Sequence, residues 1–172
     1  MPKRGGFTLV ELLIVIAVIG ILTTIGLVSF GSSQIKSRDA KRKADLRQIA
    51  NAMELYYNDK GQYPAPVNDT DGNFMGCGAG AITACSWGSL TIPFSNTTTN
   101  TVYIIRLPDD PSSEFHYYYR ATPSSGLYTK YQLYAHLENT QDKSILSSAT
   151  GLDCGTGVDS CNYGISSGNT TP

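Results

Sequence analysis

The sequence predicts an α+β fold: one long N-terminal helix, apolar in its first half and amphipathic in its second, packed on a small antiparallel β-sheet. Three observations carry this. Residues 7–30 read FTLVELLIVIAVIGILTTIGLVSF, apolar almost throughout and long enough to span a bilayer. From 35 to 59 there is neither Pro nor Gly, and Leu46, Ile49, Ala50, Met53 and Tyr57 recur at helical spacing as one apolar stripe. Beyond Pro64 the period shortens to two, with strand-like alternation between 102 and 138.

Size and charge bound the rest. A chain of 172 residues holds one membrane segment and at most one small soluble domain. The formal net charge of −1 conceals an asymmetry. Residues 36–47 carry six Lys/Arg against two Asp, whereas 61–172 carry four Lys/Arg against nine Asp/Glu. A basic neck below an acidic head argues against nucleic acid as a specific partner, which would favour a basic head.

The chain opens with Lys3 and Arg4, then Gly5-Gly6, then the apolar run. A secretory signal places its small-residue cleavage site after a shorter apolar core. Here the small pair comes first and the run is too long. A plain anchor with its basic residues held inside fits the hydropathy. It leaves Glu11 unexplained, because a carboxylate at membrane depth is costly and calls for a partner.

GGFTLVELLIVIAVIG resembles the class III signal of type IV pilins and of the pseudopilins of type II secretion. The resemblance rests on about 25 residues: a short basic leader, Gly6 before the scissile bond, Phe7 as the first mature residue, and Glu11 four residues later. It implies a pilin-like fold and cleavage between Gly6 and Phe7 by a prepilin peptidase, which methylates the new Phe7 amine. It further implies that Glu11 pairs with the Phe7 amine of a neighbouring subunit in a filament. The same pair can instead close within one chain. Two buried charges are tolerable when paired and costly when alone. Many members carry a proline where this chain has Val28, and here no proline lies between Pro2 and Pro64.

The expected organisation is a leader over 1–6, a transmembrane or filament-core helix over 7–31, an amphipathic helix over 32–60 and an extracytoplasmic head over 61–172. Lys41, Arg42, Lys43, Asp45 and Arg47 lie largely off the apolar stripe. Gly20, Gly26 and Gly31 are the weak points of the helix. Close helix packing is one explanation, and local melting as subunits enter a filament is the other. Gly61 can take a left-handed cap and Pro64 forbids continuation. YYNDKGQYP resembles the helix exit of pseudopilins and many pilins.

Residues 65–100 read as a loop-like excursion with one short element near 81–90. Strands follow over 102–107, 114–121 and 127–138. In the second, Phe115, Tyr117 and Tyr119 share one face and His116, Tyr118 and Arg120 the other. Together they predict a half-buried sheet whose apolar face covers the stripe. LPDDPSSEFHYYY resembles the LP-x-DP segment of pseudopilins without the Trp and Gly that follow it there. In the major pseudopilins this region helps bind calcium, so the departure puts that site in doubt. Asp109, Asp110, Asp153 and Asp159 remain as weak oxygen-ligand candidates against a reading as solvated turn acids. No other cofactor is expected.

Four cysteines allow three connectivities. They fall in two local pairs, and two small loops, Cys77/Cys85 and Cys154/Cys161, suit an extracytoplasmic head where disulfides persist. The spacings are wrong for a zinc ribbon. The second loop resembles the closed end loop of type IV pilins. His116 and His136 sit in strand patterns as surface or packing residues. No Ser/His/Asp constellation or phosphate loop occurs, so no enzyme is expected.

Three functions remain. The preferred one is a type IV pilus subunit serving adhesion, motility or DNA uptake. A pseudopilin of type II secretion and a non-polymerising, membrane-anchored binding domain are the alternatives. The resemblance implies as partners identical or homologous subunits, the peptidase and an inner-membrane assembly platform. It implies residence in the cytoplasmic membrane first and in a surface filament afterwards.

Overall fold

In a computed structural model the described residues form one helix and seven strands. Residues 6–68, 72–78, 83–89, 93–96, 99–148, 150–155 and 160–172 are described, with 24–29 through their backbone alone. The chain divides into two compact units, Met1–Ser37 and Arg38–Pro172. Helix α1, Leu9–Lys60, runs without a break through Gly20, Gly26 and Gly31.

The first unit contains the helix start. The apolar side chains from Leu9 to Leu22 are largely exposed, and Phe7 before them is 83% exposed. Among the described residues no helix is long and apolar enough to cross a membrane. The fully described helical part of the apolar run covers 9–23, shorter than the roughly twenty residues a bilayer needs.

In the second unit Leu46, Ile49 and Met53 are fully buried, with Ala50 and Tyr57 partly so, as the stripe predicts. Ala52 and Tyr56 widen it. The buried face also continues towards the N-terminus through Asp45, Arg42 and Asp39. The expectation that Lys41, Arg42, Lys43, Asp45 and Arg47 lie largely off the buried face therefore fails for Arg42 and Asp45. Arg42 is matched by carboxylates across the fold and Asp45 accepts a hydrogen bond from the Tyr117 hydroxyl, which makes burial tolerable. At the other end Gly61 takes φ +71° and its N–H donates to the Tyr57 carbonyl at 2.7 Å, the left-handed cap.

The 65–100 stretch is more than a loop. It supplies β1 (Phe74–Cys77), β2 (Thr83–Cys85) and β3 (Phe94–Asn96), which join β4 (Thr101–Ile104) in an antiparallel sheet ordered β2-β1-β3-β4. These strands are three or four residues long, too short for a period to show in Gly- and Thr-rich sequence. β5 (Tyr118–Ser124), β6 (Leu127–Ala135) and β7 (Tyr163–Ser166) form a second antiparallel sheet with β6 in the centre.

Phe74, Phe94, Tyr117, Tyr119, Leu133 and Leu137 pack with the helix stripe in one core. Tyr56 stacks on Phe94, and Phe74 meets Phe94, Trp87 and Tyr119. The second sheet is half-buried along most of β5, where Arg120 and Thr122 are exposed, but is covered on both faces at one end. Tyr118 and Tyr134, on its other face, are covered by the loop carrying Cys154 and Cys161.

Candidate functional site

Two places gather the residues that the sequence singles out. At the helix start, Thr8 is the N-cap and Glu11 the third residue on. The Glu11 carboxylate accepts the Thr8 backbone N–H at 2.9 Å and its hydroxyl at 2.8 Å, while the Thr8 hydroxyl accepts the Glu11 N–H at 3.2 Å. This is a reciprocal capping box, which satisfies donors that the first helical turn leaves orphaned. Its signal, Thr-x-x-Glu before an apolar run, was present in the sequence and unread. Gly6 and Phe7 lie outside the helix and are exposed just ahead of it. Lys3 and Arg4 lie outside the described residues.

The second place is an ionic cluster on the head. The Arg42 guanidinium is fully buried and donates to both carboxylate oxygens of Asp110 at 2.7 Å, to Asp39 at 2.8 Å and to Glu138 at 2.6 Å. Arg38 forks onto Glu138 as well. Lys43 reaches Asp142 at 2.6 Å. Asp39 also accepts the backbone N–H groups of Glu138 and Asn139, at 3.0 and 2.9 Å. Hydrogen bonds from Arg38 and Arg42 pull the Glu138 carboxyl down from its ordinary 4.5 to about 2. Next to the cluster Tyr117 donates to Asp45 at 2.8 Å, and burial raises the Asp45 carboxyl nonetheless.

Tyrosines dock the head on helix acids in the same way. Tyr63 donates to Glu54, and Tyr103 to Asp59 at 2.8 Å. Burial, reinforced by that bond, pushes the Tyr103 phenol up to about 12. Nothing in the local spacing of these tyrosines announces the hydroxyl contacts.

The cysteines pair as the local spacing predicts. Cys77–Cys85 crosses the β1–β2 hairpin and Cys154–Cys161 closes the C-terminal loop, with Cα separations of 5.1 and 5.0 Å.

The weak cation ligands do not come together. Asp110 is committed to Arg42, Asp109 accepts the Asp110 N–H, and Asp153 accepts Gly155 N–H and the Ser160 hydroxyl. Asp159 lies outside the described residues. Among the described residues no group of three or more His, Cys, Asp or Glu side chains could hold a metal ion. His136 stacks on Phe115 at 4.3 Å, a packing role.

The chain combines an exposed apolar helix start, preceded in sequence by Gly6-Phe7, with a separate α+β unit closed by two disulfides. The prokaryotic N-terminal methylation motif matches residues 1–27. The chain is 35% identical over 68 residues to the type IV major pilin protein PilA of Myxococcus xanthus, covering 40% of this chain and 31% of that protein. It is 27% identical over 109 residues to the type II secretion system core protein G of Aeromonas hydrophila, covering 63% of this chain and 68% of that protein. A 62-residue match to the fimbrial protein EcpC of Eikenella corrodens is 42% identical, covering 36% of this chain and 40% of that protein. The chain thus spans under a third of the Myxococcus pilin and about two thirds of the Aeromonas protein. No solved structure matches it. The chain thus carries the N-terminal methylation motif and is similar both to type IV pilins and to core protein G of type II secretion.

Proposed function

We propose that the chain is a structural subunit of a type IV pilus. The precursor is cleaved between Gly6 and Phe7, methylated on the new amine, and held in the cytoplasmic membrane by residues 7–31. An inner-membrane platform then polymerises it with identical or homologous subunits, burying the exposed apolar helix start in the filament. Exposed apolar surface on this scale calls for a membrane or a protein partner.

The observation that carries the choice of pilus is the Cys154–Cys161 loop seated over Tyr118 and Tyr134. It resembles the closed end loop of type IV pilins more than it does pseudopilins. The longer alignment to the Aeromonas core protein G favours the second reading, a pseudopilin. Shearing cells and weighing this chain in the released material separates the two. The expected result is surface fibres containing a chain that begins at Phe7 and is heavier by one methylene. A processed chain absent from sheared fibres, whose deletion blocks protein export, would move the assignment to a pseudopilin. A mature chain retaining Lys3 and Arg4 would reject both.

A further inference from the structure

The segment Leu107-Pro108-Asp109-Asp110-Pro111 is where the pseudopilin resemblance implies calcium, and its donor set does not fit a cation. A calcium ion takes six to eight oxygen ligands. Here both Asp110 oxygens lie on Arg42, and one of them also accepts the Ser112 N–H at 2.9 Å.

The carboxylates converge on the guanidinium instead. Asp110 comes from the loop, Asp39 from the preceding helical turn and Glu138 from the chain after β6. The Arg42 and Asp110 side chains are both 0% exposed. Four of the five guanidinium N–H groups are used, and the Phe115 ring lies 5.2 Å from its central carbon. A planar fork suits this arrangement, since it bonds one carboxylate twice and turns its remaining arm to two more. Asp39 extends the reach by holding the backbone of Glu138 and Asn139.

We infer that Arg42 is the internal cation of the head: it takes the place a bound ion would hold, positions the 107–111 loop and the β6 exit on the helix, and makes head folding independent of divalent metal. The inference rests on head geometry alone and holds for a pilin and for a pseudopilin.

Thermal unfolding of the full chain in detergent micelles tests it, with EDTA and with millimolar calcium. The wild-type Tm is expected to be the same in both. Arg42→Gln should lower Tm by about 10 °C, since removing one partner strands buried charge. Arg42→Lys, which keeps the charge and loses the fork, should recover only part. The double variant Arg42→Gln/Asp110→Asn should fall well short of the summed losses of the two singles. A wild-type Tm that drops in EDTA and returns with calcium would overturn the inference, and this arm needs no variant to fold. Additive losses in the double variant, or full recovery with lysine, would overturn the positioning role.

Discussion

Glu11 meets two demands that substitution can separate. Its carboxylate completes a capping box with Thr8, and in the proposed filament it neutralises a neighbour's Phe7 amine. Glutamine serves at this position of a capping box but carries no charge. If charge pairing governs assembly, Glu11→Gln and Glu11→Val should both give a cleaved, membrane-resident monomer with few or no fibres. Normal fibres from Glu11→Gln and none from Glu11→Val would assign the residue to capping alone. Electron microscopy of sheared material reads both. Glu138 makes a second prediction, set by Arg38 and Arg42 facing it and by Asp39 beside them. Its folded-state value is depressed, so its contribution is complete above about 4.5 and is lost as pH falls towards about 2. Tm should therefore decline between pH 5 and 2, and Glu138→Gln should flatten that decline while lowering Tm at neutral pH.

Among the elements, α1 was the most legible and still misread in one respect. Leu46, Ile49 and Met53 announce a buried face by spacing, and Gly61 announces its end. The same face continues through Arg42 and Asp39, which an apolar-periodicity reading assigns to solvent. β5 shows the parallel case. The alternation of Tyr117 and Tyr119 against Tyr118 is correct, yet Tyr118 on the outer face is covered as well, because a disulfide loop more than thirty residues further along the chain lies over it. That covering is tight at Gly155, where φ is +133° and an added Cβ would sit 2.1 Å from the Glu114 carbonyl oxygen. Gly155→Ala should therefore cost at least about 2 kcal/mol of head stability, since backbone would have to move. Gly168→Ala, with open space around it, should cost little by the same chemical denaturation measurement.

For the whole molecule, the short-range signals sufficed for much of the outcome. The Gly6-Phe7-Glu11 motif, the extent and end of the helix, its apolar stripe and the pairing of cysteines seven and eight residues apart were determined by the sequence alone. Each is set by spacing within a few helical turns or one small loop, so local stereochemistry leaves few alternatives. The burial of Arg42, its choice of Asp110 and Glu138, and the seating of Tyr103 on Asp59 were decided only by the tertiary structure. These partners are 68, 96 and 44 residues apart, and nothing in local spacing selects one acid over another at that distance. The apolar core brings the 107–111 loop and the β6 exit to the helix, and once water is excluded a charge must take whichever opposite charge the packing has placed beside it.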